Sequence, residues 1–281
     1  MIPSGKAKVA GVVGWPVGHS LSPRLHGYWL DRYGIDGAYI PLPVNPRDLA
    51  DALRLLPRIG LCGANVTVPH KEAALSLVHE LDAQARAIGA VNTIVVRADG
   101  TLEGRNTDAF GFLENLLRSA PQWHAHKPAA VVGAGGSARA VCVALLDAGV
   151  PKVYVVNRTA SRAEELARTL GDQVIPVPWA LQADALAQAA LLVNATTLGM
   201  KGQPEADLDL SRLPRDAVVA DLVYTPIETP LLKAARARGN TVVDGLGMLI
   251  HQARPGFEAW FGVAPEVTED LRAFLISSLG S

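Results

Sequence analysis

The stretch "VVGAGGSARA", Val131–Ala140, decides the fold. Two β-branched residues close an apolar run, Gly133, Gly135 and Gly136 follow, and the chain then turns to the helix-favouring "SARAVCVALL". Strand, glycine turn and helix in that order form the setting in which a dinucleotide pyrophosphate is bound. Gly133 permits the tight turn, and Gly135 lets backbone N–H groups approach phosphate at the positive end of the helix. Ala138 takes the third fingerprint position, where helix packs closely on strand. A glycine turn alone also serves as an ordinary strand-to-helix connection, so its surroundings decide.

Those surroundings complete an α/β unit. "KVYVVNR", "VIPVPW", "LLVNAT", "AVVADLVY" and "TVVDG" read as strands, and "ASRAEELARTL" and "TPLLKAARARG" as helices. NAD-binding proteins usually place an Asp or Glu after the second strand, for the adenine ribose. Here the residues are Asn157, Arg158 and Thr159. A carboxylate repels a 2′-phosphate, whereas Arg158 binds one through charge-assisted bonds, with Asn157, Thr159 and Arg162 as further donors. NADP(H) is therefore favoured over NAD; the alternative is that Arg158 and Arg162 are solvated residues at a helix start.

Upstream lies a second alternating series. "AKVAGVV" is a buried strand, and "SPRLHGYWLDRYG" a helix with Ser22 as N-cap, Pro23 at its first position and Gly34 at its close. "AYIPLPV", "LCGANVTV" and "AVNTIVVR" follow as strands, "PRDLADALRLL" and "KEAALSLV" as helices, with a turn at Asp99–Gly100. Such alternation predicts a mostly parallel sheet with helices on both faces. Two terminal helices, "GMLIHQARPGFEAWFG" and "TEDLRAFLISSL", leave the alternation and are expected to pack back on the first domain. The expected division is a discontinuous α/β domain of residues 1–108 and 246–281 and a Rossmann-type domain of residues 109–245.

Composition narrows the function. The 26 basic and 27 acidic residues nearly cancel, and no basic run tracks a nucleic-acid backbone. No apolar run approaches a membrane span, and neither repeats nor low-complexity segments occur. "SGKAKVAGVVGWPVGHSLSP" imitates a signal peptide but lacks a small-x-small cleavage site and is interrupted by turn residues. The two cysteines, Cys62 and Cys142, lie in apolar stretches and read as reduced thiols of a cytoplasmic protein.

Four polar segments of the first series stand at or beyond strand ends, where open α/β sheets collect ligands: "GHSLSP", "NVTVPHK", "GAVNT" and "GRNTDAFG". Taken singly, Ser20 and Ser22 read equally as caps, Asn92 as a turn residue, Thr107 or Asp108 as a helix start, and Lys71 as a solvated lysine. Together with "GAGGSAR", "NRTASRAEELA", "NATTLGM" and "DGLGMLIHQA", in that order and over nearly the whole chain, they resemble the shikimate dehydrogenase family.

The resemblance implies a substrate domain and a Rossmann domain with the active site in the cleft between them, and NADPH-dependent reduction of 3-dehydroshikimate to shikimate. It assigns the ring carboxylate to Ser20, Ser22 and Tyr224, and the ring hydroxyls to Thr67, Asn92, Asp108 and Gln252, with Asn65 shaping its strand end. Lys71 and Asp108 form the catalytic pair. The cofactor falls to Gly133, Ala134, Gly135, Gly136, Ser137, Ala138, Asn157, Arg158, Thr159, Arg162, Thr196 and Gly245. A monomer or homodimer is expected.

Chemistry supports the pair independently. Hydride addition to a ketone builds negative charge on oxygen, which an ammonium stabilises and protonates, and a carboxylate orients that ammonium. Burial lowers a lysine pKa and a neighbouring acid raises it, so the sequence leaves open whether Lys71 donates the proton or positions. His70 reads as a surface histidine at a helix start. His124 and His126, without a nearby acid or cysteine, are too few for a metal, and none is assigned. An NAD-dependent quinate/shikimate dehydrogenase should carry an acid where Arg158 stands. A non-catalytic NADP-binding sensor would be favoured by loss of Lys71 or Asp108, and both are present.

Overall fold

The computed structural model describes residues 2–279, and the ends of the expected domain spans at residues 1, 280 and 281 lie outside it. The chain forms two compact units, Met1–Thr107 with Gln252–Ser281, and Asp108–His251.

In the first unit the chain runs β1 (Lys8–Gly14), α1 (Ser22–Arg32), β2 (Gly37–Pro43), α2 (Leu49–Leu55), β3 (Leu61–Val66), β4 (Glu80–Leu81), α3 (Ala83–Ile88), β5 (Thr93–Val96) and β6 (Leu102–Arg105). The sheet order is β2-β1-β3-β5-β6-β4. β1 pairs in parallel with β2 and β3, which face it from opposite sides. The first crossover therefore runs one way from β1 and the next returns past it, making a switch point between β1 and β3. The carboxyl ends of those strands lead into "SLSP" and "TVPHK".

Three expectations are corrected here, the sheet's pairing, the "KEAALSLV" helix and the Ser22 cap, while the Asp99–Gly100 turn is present as expected. The sheet is mixed, because β5 runs antiparallel to both β3 and β6. The Asp99–Gly100 turn closes a hairpin, with Arg97 N–H donating to the Thr101 carbonyl at 2.9 Å and both the N–H and the hydroxyl of Thr101 bonding the Asp99 carboxylate. The "KEAALSLV" helix is only a single 3-10 turn, Ala73–Ser76, after which the His79 N–H joins the Leu102 carbonyl and draws the chain toward the sheet. Ser22 is the first residue of α1 and not its cap; Leu21 holds that place without a side-chain bond.

The second unit runs α4 (Asp108–Ser119), β7 (Ala129–Val132), α5 (Gly136–Asp147), β8 (Val153–Asn157), α6 (Ala160–Leu170), β9 (Val174–Pro178), α7 (Gln182–Leu186), β10 (Leu191–Asn194), β11 (Val218–Asp221), α8 (Pro230–Ala237), β12 (Thr241–Val243) and α9 (Gly245–Phe261), the last helix continuing into the first unit's segment. Its six strands are ordered β12-β11-β10-β7-β8-β9 and every pair is parallel. This is the doubly wound order, with its switch point between β7 and β10. Leu192, Val219, Leu186 and Leu232 pack on one another in its core.

α10 (Glu269–Ser277) ends the described chain. In the first unit Trp260 donates its indole N–H to the Ile94 carbonyl at 2.9 Å, and Trp29 donates to Glu266 at 3.1 Å. These bonds and the packing of Phe257 on Trp29 fasten the terminal helices onto the first sheet. No helix of the described residues is long and apolar enough to cross a membrane.

Candidate active site

At the β1/β3 switch point of the first unit, polar side chains are tied into one buried network. Asn65, at the end of β3, donates its amide to the Asn92 carbonyl and the Thr93 hydroxyl, both at 3.1 Å. Its oxygen accepts from the Tyr39 phenol at 2.5 Å. Burial pushes that phenol well above its ordinary pKa, offset in part by a hydrogen bond from the Ser22 hydroxyl. Asn92 donates to the Thr107 hydroxyl at 3.0 Å and to the Gln252 side-chain oxygen at 3.3 Å, while its own oxygen receives the Thr107 N–H at 2.9 Å. The Thr107 hydroxyl donates to the Gln252 carbonyl at 2.7 Å. Ser22, Asn65, Asn92 and Gln252 are thereby gathered into one constellation. All of its members are uncharged, which lets the network be buried without unpaired ions.

Thr67 and Lys71 follow directly. Thr67 donates its N–H to the Val13 carbonyl at 2.9 Å and lays its methyl against Gly14. Lys71 is half-buried in the turn after Pro69, and its carbonyl accepts from Val91 N–H at 2.8 Å. Ser20 accepts from the Ser22 N–H at 3.2 Å, so Ser20 bonds a backbone group at the start of α1 while Ser22 turns to Tyr39. His70 is a correction: it is buried, with Nε2 2.8 Å from the Val44 carbonyl, and serves to fasten this turn to the chain beyond β2.

In the second unit Gly133 follows β7 with φ +115°, and a Cβ there would stand 2.9 Å from the Thr196 methyl and 3.1 Å from the Ala195 carbonyl. Only glycine fits both the backbone and the approach. A Cβ on Gly135 would meet nothing within 4 Å, so the face of the turn that a phosphate would approach is open. Ala134 and Ala138 are buried, whereas Gly136 and Ser137 are part-exposed at the start of α5. The residues present fit a pyrophosphate on a helix N-terminus.

At the end of β8, Asn157 donates to the Thr159 carbonyl at 2.8 Å, and Arg158, Thr159 and Arg162 are exposed. Arg158 makes no ion pair among the described residues. Thr159 is the N-cap of α6 but its hydroxyl bonds no helix N–H. Asp108, the first residue of α4, is buried; Tyr224 is half-buried on the chain after β11. Gly245 opens α9, and a Cβ there would lie 2.3 Å from the Leu222 carbonyl oxygen. Its glycine is thus also required by close packing on the segment that carries Tyr224.

His124 and His126 stack with ring centroids 5.6 Å apart, and among the described residues no three His, Cys, Asp or Glu side chains gather as a metal site. Both cysteines are free; burial pushes Cys62 to about 11 and Cys142 to about 12, so both stay as thiols. Sequence reasoning missed Tyr39, Asn194 and Asp221. Tyr39 stood in a strand read only for its alternation. Asn194 and Asp221 end adjacent parallel strands, and a polar residue closing an apolar run was the available signal.

Comparison with known proteins agrees with both halves. The pattern described as "Shikimate dehydrogenase substrate binding domain" matches residues 12–94, "Shikimate / quinate 5-dehydrogenase" matches 115–200, and "Shikimate 5'-dehydrogenase C-terminal domain" matches 245–273. The chain is 62% identical over 275 residues to the shikimate dehydrogenase (NADP(+)) of Paramagnetospirillum magneticum, covering 98% of this chain and 100% of that one. Among solved structures it resembles the shikimate 5-dehydrogenase of Thermus thermophilus in complex with NADP(H) and shikimate (37% identity, TM-score 0.84, 97% and 98% of the two chains). It also resembles the quinate dehydrogenase of Corynebacterium glutamicum in complex with NAD (36% identity, TM-score 0.89, 96% and 99%). With the doubly wound sheet, its glycine turn and the Asn65–Asn92 constellation in place, the chain belongs to the shikimate dehydrogenase family.

Proposed function

We propose that this chain catalyses the reversible NADPH-dependent reduction of 3-dehydroshikimate to shikimate. The observation that carries the cofactor choice is the acid-free end of β8, where Arg158 is exposed beside Asn157 and Thr159. A 2′-phosphate is attracted there and no carboxylate from that strand end opposes it. When bound, the nicotinamide supplies the hydride that reduces the ketone carbon.

The chain's own residues do the rest. Ser20, Ser22 and Tyr224 hold the ring carboxylate by hydroxyl donors, and Thr67, Asn92, Asp108 and Gln252 hold the ring hydroxyls. Lys71 stabilises the negative charge that develops on the carbonyl oxygen and gives that oxygen its proton, so that ketone, hydride and proton balance to the alcohol. Asp108 orients the ammonium and accepts from a ring hydroxyl. The buried network behind Asn92 supports the reading, because it holds the amide in one orientation before substrate arrives. Two free thiols accord with a reducing compartment, and the enzyme is read as a cytoplasmic monomer or homodimer.

The test is direct. Purified protein with shikimate and NADP+ should give reduced-nicotinamide absorbance, with NAD+ and quinate as comparison arms. Activity confined to NAD+ with quinate would replace this reading by a quinate dehydrogenase like the Corynebacterium glutamicum relative. Cofactor binding with no turnover on either acid would point to a sensor.

A further inference from the structure

Asp221, at the end of β11, is buried and takes no part in the steps above. One carboxylate oxygen accepts from the Asn194 amide at 2.9 Å and from Val223 N–H at 3.0 Å, and the other accepts from the Thr229 hydroxyl at 2.7 Å. Asn194 gives its amide also to the Leu198 carbonyl at 3.0 Å. Its oxygen takes the hydroxyl and the N–H of Thr196 at 2.7 and 3.2 Å, and that hydroxyl accepts Leu198 N–H at 3.0 Å. A carboxylate can only accept, so with the Leu198 carbonyl and the Thr196 N–H it holds the Asn194 amide with the nitrogen toward Asp221 and the oxygen toward Thr196. Thr196 is the residue against which Gly133 is closed.

We propose that Asp221 is a positioning residue for cofactor binding: by fixing the Asn194 amide it holds the Thr196–Leu198 turn beside the glycine turn at the β7/β10 switch point. The inference rests on the dinucleotide reading of that switch point. Val223, held by the same carboxylate, extends the effect to the Leu222–Val223 segment under Gly245. Thr229 also caps α8, accepting Leu232 N–H at 3.3 Å, so the acid is braced from a helix.

Stability does not explain the acid. Burial raises its carboxyl to about 6, offset in part by Thr229, Val223 and Asn194, which means that the ionised form is disfavoured by folding. The carboxylate does what an amide cannot: it presents no donor and so accepts from Asn194, Val223 and Thr229 together.

The experiment is titration calorimetry of NADP+ with the wild type, Asp221→Asn, Thr196→Val and the double variant, together with melting temperatures and hydrogen exchange over residues 194–199. Asp221→Asn should melt no lower than the wild type at pH 7.5, exchange faster at residues 196–198 and bind NADP+ about tenfold more weakly, the size expected of coupled neighbours. Its KM for shikimate at saturating NADP+ should change less than NADP+ binding does, since of the residues proposed to hold substrate only Tyr224 adjoins a group that Asp221 holds. Thr196→Val should weaken NADP+ comparably, and adding Asp221→Asn to it should cost little more. A wild type that does not bind NADP+ overturns the cofactor reading and the inference together. Wild-type binding with an unchanged constant in a folded Asp221→Asn overturns the inference alone. Should that variant lose its cooperative melt, Thr229→Val, which removes a donor to the acid and leaves Thr196 in place, decides: unchanged NADP+ binding there overturns the inference, and weakened binding upholds it.

Discussion

The two units bury polar groups in opposite ways. Behind the proposed substrate site lies a neutral network, from Ser22 through Tyr39 and Asn65 to Asn92, Thr107 and Gln252, with the buried ring of His26 stacked on Tyr39 at 3.9 Å. Behind the cofactor turn lies an acid, Asp221, held by three donors. The amides and hydroxyls of a neutral network carry no charge to desolvate, whereas a buried acid costs stability in its ionised form. A polyhydroxylated ring needs amides and hydroxyls in set orientations, and these can be buried at no charge cost.

That contrast can be broken most forcefully with acid. Burial lowers His26 to about 3 from 6.5, against a hydrogen bond to the Asn65 side chain that raises it. The unfolded chain then takes up the proton first, so the stability tied to neutral His26 is present above pH 6.5 and drains away as pH falls toward 3, by up to about 5 kcal/mol. Asp221 has the reverse sign. Its folded value of about 6 lies above the ordinary 3.8, so the folded state binds the proton more tightly and gains up to about 3 kcal/mol as pH falls from 6 to 3.8. Hydrogen exchange at pH 7 and 4.5 should show protection falling around α1 and β2 while it holds around β10 and β11. His26→Phe, which keeps the ring stack, should flatten the first response and leave the second. Equal loss in both units would remove the contrast.

The next largest effect falls on turnover. Lys71→Ala should lower kcat roughly 10²-fold or more while KM changes less, because the charge matters most as the oxyanion forms. Asp108→Asn should lower kcat too, and the double variant should be less impaired than the product of the single losses. The melting temperature of Lys71→Ala should hold, since the turn is fastened by the Lys71 carbonyl and by His70 and not by the Lys71 side chain's burial in the core. Near-normal turnover in a folded Lys71→Ala variant would take this lysine out of the mechanism.

Arg158→Ala probes the other unit. It should weaken NADP+ by about 1.5–3 kcal/mol, the worth of a hydrogen bond to a charged group, and leave NAD+ nearly unchanged. Competitive binding of both cofactors measures the difference. Equal loss would show that Arg158 is only a solvated residue at the start of α6.

Much of this is legible in the sequence, and unevenly so. "ASRAEELARTL" spans the residues of α6, and the glycine turn announced the doubly wound sheet, because both signals are local. The β5–β6 hairpin was not legible: "LEGR" carries two charges and a glycine in four residues, and its burial alternates too briefly to be seen without the partner strand. His70 looked exposed because its neighbours are polar, yet its partner is a carbonyl 26 positions away. The networks were hidden for the same reason. Asn92 meets Gln252 across 160 positions, and Asn194 meets Asp221 across 27, so only the sheet order brings them together.

The smallest effect expected sharpens the comparison most. Tyr39→Phe removes one hydroxyl and keeps the ring on His26, so the stack and the core volume survive. What is lost is the donor to the Asn65 oxygen and the acceptor for Ser22. The Asn65 amide still has the Asn92 carbonyl and Thr93 to hold its nitrogen, so it should keep its place with one buried acceptor unmet, at about 1–3 kcal/mol of stability. Ser22, released from Tyr39, should sample other orientations, and KM for shikimate should rise about threefold to tenfold with kcat changed less, because a carboxylate far from the reacting carbon is held alike in ground and transition states. NADP+ binding should not move. Steady-state kinetics with each substrate varied in turn, beside calorimetry of the binary NADP+ complex, separates the outcomes. A rise in KM for shikimate alone would mark the neutral network as part of substrate recognition; a fall in melting temperature with both Michaelis constants intact would reduce it to core packing.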